Sequence, residues 1–184
     1  MKHLKEALAL LKQGNVIATK TDTVYGLLAD ATIDTAVQQV YEFKKRPNDK
    51  ALIVLVNSLE MANNIAEFTD ETMQYAHQVW LEDKKPVTLV LKAKNISRIV
   101  TGGGDTLALR LPHDEFCLEL IHQLGHPVVA PSANIAGHPT AISADMVKSD
   151  FDIKLPLIID RGTCTNTPST IISLLDNKLV ILRQ

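Results

Sequence analysis

Residues 114–134, DEFCLELIHQLGHPVVAPSAN, decide the reading of the fold. Asp114 to Leu124 reads as a helix, and Gly125 stops it. Residues 127–130 then form a short apolar strand. That strand delivers Pro131-Ser132-Ala133-Asn134 to its carboxyl end. A helix followed by a strand that ends in a small polar turn is how a sheet with helical cover places its ligand-touching loops.

Upstream, Leu4, Ala7, Leu8 and Leu11 repeat at helical spacing before Gly14, and residues 15–19 read as a strand. Residues 20–26, Lys-Thr-Asp-Thr-Val-Tyr-Gly, are too polar and turn-rich for a core element and read as a ligand-facing loop. Asp34 is placed to cap a helix whose buried stripe is Val37, Val40 and Tyr41, and Pro47 ends it. Lys44 continues that stripe and is therefore expected to point inward. A buried strand over 51–56 precedes helices over 58–66 and 70–80. Strands over 86–92 and 106–111 flank Gly102-Gly103-Gly104, which reads as a flexible hairpin connection. Downstream, a short helix follows Ser143, and strands are expected near 155–159, 170–174 and 179–182. Strands and helices mix without strict alternation. The pattern predicts one α/β (α+β) domain over 1–184, with a twisted mixed sheet flanked by helices and an open ligand cleft.

A length of 184 residues is enough for one core without disulfides or a structural metal. Cys117 and Cys164 belong to no Cys-x-x-Cys pair, and the opening residues read as a charged amphipathic helix rather than a secretion leader, so a reduced cytoplasmic setting is expected. The longest apolar run, residues 51–56, is too short to span a bilayer. Nineteen basic against twenty-one acidic side chains leave a net charge of −2, which argues against capture of nucleic acid by the whole surface. A local basic cleft is still available from Lys44, Lys45, Arg46 and Lys50.

Neither the phosphate loop Gly-x-x-x-x-Gly-Lys-Ser/Thr nor Gly-x-Gly-x-x-Gly is present. His122 and His126 have zinc-helix spacing, but Gly125 and Pro127 interrupt the helix, so no protein metal site is expected. His113 beside Asp114 reads as a helix start, and Ser132 lacks a partner base or a nucleophile elbow. What remains is an inventory of hydroxyls and cations near strand ends: Thr23, Arg46, Lys50, Thr106, Arg110, Ser132, Asn134, Thr140, Ser169 and Arg183. Hydroxyls and amides position phosphate oxygens, and arginine forks suit carboxylates and phosphates.

Several of these positions fall in motifs that resemble the YrdC/Sua5 family of threonylcarbamoyl-adenylate synthases. Residues 21–27, Thr-Asp-Thr-Val-Tyr-Gly-Leu, resemble that family's Thr-Glu-Thr-Val-Tyr-Gly-Leu loop, and Lys44-Lys45-Arg46-Pro47 resembles its Lys-x-Arg signature. Leu107-Ala108-Leu109-Arg110-Leu111-Pro112, Ser132-Ala133-Asn134 with Gly137 and Pro139, and Ser169-Thr170-Ile171-Ile172 match later blocks in order. The chain looks like the short bacterial, TsaC-like form of the family.

The resemblance implies a YrdC-like fold and the conversion of L-threonine, bicarbonate and ATP into threonylcarbamoyl-AMP and pyrophosphate. That product serves N6-threonylcarbamoyladenosine modification of tRNA, with TsaB, TsaD and TsaE-type proteins as partners. It also implies Lys44 and Arg46 as catalytic residues. Thr23, Arg110, Ala130 and Ser169 would sit around threonine. Arg46, Lys50, Thr106, Ser132, Asn134, Thr140 and Arg183 would sit around ATP, with Mg2+ on the phosphates. The chain departs from the family pattern at Lys20 and Asp22, where proline and glutamate are common. Leu55 replaces a histidine of many longer relatives, Lys50 replaces an asparagine, and residues 80–86 lack the usual Pro-Gly-Pro character. Two rival readings use the same cations. One is an RNA-binding or ribosome-assembly module, which the 4% aromatic content disfavours. The other is a carbamoyl-phosphate enzyme like the related domain of hydrogenase-maturation proteins.

A testable consequence concerns Arg46. Removing one charge-assisted phosphate contact in Arg46→Ala should cost about 2 to 4 kcal/mol in the transition state, measured as a loss of kcat/KM at unchanged fold.

Overall fold

The computed structural model describes residues 3–151 and 154–184. Nine strands form one mixed sheet: β1 (Ile17–Lys20), β2 (Tyr25–Asp30), β3 (Ile53–Leu55), β4 (Val87–Lys92), β5 (Thr106–Arg110), β6 (Val128–Val129), β7 (Ile158–Ile159), β8 (Thr170–Ser173) and β9 (Val180–Arg183). Their order is β7-β1-β2-β6-β3-β5-β4-β8-β9. Pairs β1/β7, β3/β5 and β4/β8 are parallel and the others antiparallel. The expected mixed sheet is therefore present.

Alternation of side chains along the strands sends neighbouring residues to opposite faces. Ile17, Leu28, Leu55 and Val128 join one apolar cluster with helices α1 (Leu4–Lys12) and α5 (Glu115–Leu124). Ala18, Leu27, Ala29, Val54 and Val129 join a larger cluster under α2 (Asp34–Lys44), α3 (Leu59–Ile65), α4 (Asp70–His77) and α6 (Ala144–Phe151). The two helices read from the apolar stripes at residues 4–11 and 37–41 thus cover opposite faces of one sheet.

Three boundaries differ from the sequence reading, each for a physical reason. Residues 20–26 are not loop throughout: Tyr25 and Gly26 open β2, a strand the polar Thr-Asp-Thr turn conceals and whose six residues are all buried. Asp34 is the first helical residue of α2, not its cap. That place belongs to Ile33, and no side chain caps the helix. The helix over 70–80 divides into α4 and a π-helical turn, Gln78–Glu82. The turn carries Trp80 into the core, where its Nε1 donates to the Val87 carbonyl at 2.7 Å. Asp114 caps α5, accepting from the Cys117 amide at 2.9 Å, and Gly125 ends the helix in the left-handed region, the stop that the sequence predicts.

Gly102 is closed in rather than merely flexible. Its φ is +64°, and a Cβ there would lie 2.8 Å from the Ala51 nitrogen and from the Asp49 carbonyl carbon. The glycine turn therefore supports residues 49–51, the segment leading from Lys50 into β3. Tyr41 fastens the same junction by donating from its hydroxyl to the Lys50 carbonyl at 3.0 Å and the Ile99 carbonyl at 2.9 Å. Gly103 also has positive φ but nothing within 4 Å of the added Cβ. Gly102→Ala should accordingly destabilise the fold by about 2 kcal/mol or more, and Gly103→Ala by about 1 kcal/mol, in chemical denaturation.

Candidate functional site

A cavity of about 70 Å3 opens where the carboxyl ends of β1, β5 and β6 meet the start of β2 and β8. Thr23, Arg110, Ala130, Ser132, Thr140, Ser169 and Arg183 all stand on its wall. These seven come from stretches as far apart in the chain as the first and last strands. Lys44, Arg46, Lys50, Thr106 and Asn134 are not on that wall. Thr21, Ile53 and Pro168 are wall residues that no motif pointed to individually.

The 21–24 turn is built by its own side chains. Thr21 Oγ1 donates to the Val24 carbonyl at 2.8 Å and accepts the Thr23 amide at 3.2 Å. Residues 160–169 run alongside as a strap. Tyr25 donates to the Gly162 carbonyl at 2.9 Å, Lys20 to the Thr163 carbonyl at 2.9 Å, and Asn166 to the Asp22 carbonyl at 2.8 Å. Arg161 pins the strap through two hydrogen bonds to Asp114, at 2.8 and 2.7 Å, with its guanidinium 4.7 Å over the Phe116 ring. Burial disfavours the Asp114 charge, but the Arg161 and Cys117 hydrogen bonds outweigh it and hold the carboxyl below the usual aspartate range.

Arg110 is only 4% exposed. Its Nη1 donates to Asp22, its Nη2 reaches Thr23 Oγ1 at 3.4 Å, and its Nε has no partner. Ser169 shares a hydrogen bond of 2.8 Å with Thr88 while its carbonyl accepts from Arg183 Nη2 at 2.7 Å. Burial, then the nearby Arg110 charge, pull the Arg183 pKa down. Two guanidiniums and one carboxylate give this end of the cavity a net positive charge, which suits an anionic ligand.

Lys44 lies behind the Ser132 wall. Its ammonium donates to the Ser132 carbonyl at 2.5 Å, the Asn134 carbonyl at 2.8 Å and Asn134 Oδ1 at 3.3 Å. Ser132 Oγ donates to the same Asn134 Oδ1 at 2.6 Å, and Asn134 Nδ2 donates to the His138 carbonyl at 2.8 Å. The inward position read from the α2 stripe is therefore observed, and the two signature tripeptides touch. Arg46 folds back on its own loop, with Nη2 donating to the Ala51 carbonyl at 3.1 Å, and Lys50 is exposed. Thr106 is half-buried at the start of β5. Leu55 is fully buried in the smaller core and is not on the cavity wall. His126 bonds Asp30 at 3.0 Å, and among the described residues no three His, Cys, Asp or Glu side chains gather to hold a metal.

The fold and this cleft define a class, an α/β enzyme-like domain with a cationic hydroxyl-lined pocket. The Sua5/YciO/YrdC family model, described as telomere recombination, matches residues 9–184. The chain belongs to that family. It is 40% identical over 183 residues to threonylcarbamoyl-AMP synthase of Pyrococcus abyssi, covering 98% of this chain and 53% of that protein. It is 33% identical over 166 residues to threonylcarbamoyl-AMP synthase of Idiomarina loihiensis, covering 89% of each. The structure of P. abyssi Sua5 complexed with L-threonine superimposes with a TM-score of 0.91 at 37% identity, covering 98% of this chain and 53% of that one. The chain thus spans about half the length of the P. abyssi protein.

The buried ammonium makes the site pH-dependent. Burial, then the neighbouring Arg46 charge, lower the Lys44 pKa to about 8, and Asp150 partly opposes them. Between that value and the ordinary 10.5 the unfolded chain keeps a proton that the folded chain has released. Stability from this group therefore rises with pH in that window and is flat below it. Ligand binding should show the opposite sign, because deprotonation removes a positive charge and a donor from behind the Ser132 turn. Affinity of the cleft for an anion is expected to fall as pH passes about 8, and Lys44→Met should weaken anion binding while abolishing that inflection in calorimetric titrations.

Proposed function

We propose that this chain is a threonylcarbamoyl-AMP synthase, joining L-threonine, bicarbonate and ATP into threonylcarbamoyl-adenylate with release of pyrophosphate. The observation that carries the reading is Arg110: a buried guanidinium with donors to spare, on the wall of a small cavity whose neighbours are Thr23 and Ser169. A free guanidinium fork in that setting matches an amino-acid carboxylate. Kinship with a family member known in complex with L-threonine supports the same reading.

Threonine's amine and bicarbonate-derived carbon dioxide give a carbamate. A carbamate oxygen then attacks the α-phosphorus of ATP, and pyrophosphate leaves with the electron pair of the broken bond. No protein nucleophile is needed. In this reading Thr23, Arg110, the Ala130 backbone and Ser169 orient threonine. Ser132 and Thr140 meet the nucleotide, and Arg183, bonded to Ser169, meets it from the Arg110 side. Arg46, Lys50 and Thr106 flank its phosphates from outside the cavity, and Lys44 and Asn134 keep the Ser132 turn in shape. Catalysis then rests on alignment and on neutralising anionic charge.

Mg2+ is proposed to enter on the ATP phosphates. The hydroxyl and cation donors of the cavity suit a metal held by phosphate and water rather than by a protein cage. Transfer to tRNA is proposed to fall to TsaB, TsaD and TsaE-type partners in the cytoplasm. Among the described residues no helix is long and apolar enough to cross a membrane.

The test is pyrophosphate release from ATP and bicarbonate, with and without L-threonine, with mass analysis of the product. Threonine-dependent release and the adenylate mass are expected. Release driven instead by carbamoyl phosphate without threonine would assign the domain to the carbamoyl-transfer chemistry. No release, together with salt-sensitive RNA binding, would assign it to the RNA-binding class. Arg110→Ala should raise the KM for threonine roughly a hundredfold with little change in the KM for ATP.

A further inference from the structure

Asp22 is the only carboxylate in contact with the Arg110 guanidinium among the described residues. It stands behind Arg110, off the wall of a cavity whose functional groups are hydroxyls and cations. Both of its oxygens are committed. Oδ1 accepts from Arg110 Nη1, and Oδ2 accepts the His113 amide at 3.1 Å, at the junction between β5 and α5. Its own carbonyl accepts from Asn166 of the strap at 2.8 Å. The side chain is 8% exposed and Arg110 is 4% exposed, so the pair is screened from water and its geometry is fixed from three sides.

The pairing is incomplete from the arginine's side. Nη1 is filled, Nη2 has only a long contact with Thr23, and Nε has no acceptor. A buried guanidinium with unfilled donors is costly unless something meets them. Nε and Nη2 lie along one edge of the planar fork, the edge able to hold both oxygens of a second carboxylate.

We propose that Asp22 is a positioning residue for carboxylate recognition: by accepting Nη1 on a carboxylate that the His113 amide holds in place, it fixes the guanidinium plane and leaves the Nε/Nη2 edge as the site for an amino-acid carboxylate. Asp22 also reduces the charge that this end of the cavity offers. A bare pair of arginines would favour any polyanion, including a misplaced triphosphate, whereas one compensated arginine suits a singly charged carboxylate beside a zwitterion's amine. This inference rests on the threonine reading above and adds the residue that sets its selectivity.

The experiment is calorimetric titration of L-threonine, and of L-threoninamide as the probe lacking the carboxylate, into the unaltered protein and into Asp22→Asn and Asp22→Glu. ATP titration and the thermal midpoint serve as controls of fold. Asp22→Asn should weaken threonine binding about ten- to a hundred-fold while leaving threoninamide and ATP nearly unchanged, because only the carboxylate uses the oriented edge. Asp22→Glu keeps the charge and should recover part of the loss. Threonine binding that is unchanged or tighter in Asp22→Asn overturns the inference, since Asp22 would then be a bystander or a competitor for Arg110. An equal loss for threonine, threoninamide and ATP also overturns it, because the residue would then be merely structural. If Asp22→Asn does not fold, the same comparison in Asp22→Ser, which also removes the carboxylate, decides. There, a loss confined to threonine supports the inference and an unchanged affinity overturns it. Failure of the unaltered protein to bind threonine overturns the functional reading itself, and this inference with it.

Discussion

The ammonium of Lys44 is the contact on which the geometry of the cleft depends. Three oxygen acceptors from the Ser132–Asn134 turn surround it, and it sits at the last turn of α2, so one buried charge ties a helix end to the loop after β6. A cation withdrawn from water needs such acceptors, since each unfilled donor would carry a desolvation cost. The turn in return gains a shape that its own small side chains could not hold. Ser132 is thereby placed on the cavity wall with its hydroxyl engaged by Asn134, and the backbone continues through Ile135 to Thr140 on the same wall.

A second framework holds the opposite wall. Tyr25 and Arg161 lock the strap to the first hairpin, Asp114 serves both as the cap of α5 and as the partner of Arg161, and Asp22 joins the strap, the β5 end and Arg110. These polar groups are mostly buried and mostly satisfied, which is the condition under which a polar network rigidifies a site instead of weakening it. The conspicuous exception is the Nε of Arg110, together with His113 Nε2 nearby and Thr19 Oγ1 deeper in the sheet. An unsatisfied donor on the wall of a cavity is where a ligand gains most, because it supplies the missing acceptor.

The two walls differ in how they handle charge. Lys44 and the Ser132 turn present a cation screened by carbonyl oxygens, whereas Arg110 and Arg183 stand on the wall itself. Arg46 and Lys50 lie outside the cavity, on a segment held from beneath by the glycine turn at Gly102 and by Tyr41. A small pocket with cations on a separate segment outside it fits a ligand of two parts, one compact and enclosed and the other extended and anionic.

The sequence by itself determined the elements with strong local signals. The apolar stripes of α1 and α2, the existence of α5 with its Gly125 stop and the inward direction of Lys44 follow from periodicity and capping chemistry, which act within a few residues. The motif residues of the cleft were legible for the same reason, as short patterns of hydroxyls and cations after strands. Tertiary structure alone decided the rest. Tyr25 and Gly26 join a strand because β1 supplies a partner on one side and the Ser132–Ala133 turn on the other, not because their own stretch favours one. Ile53 and Pro168 reach the cavity wall only through sheet pairing and the strap. Gly102 is required because backbone from residues 49–51 lies against it. Asp22 meets Arg110 across 88 positions of sequence, and no local pattern records a contact whose cause is the folding of distant segments onto one another.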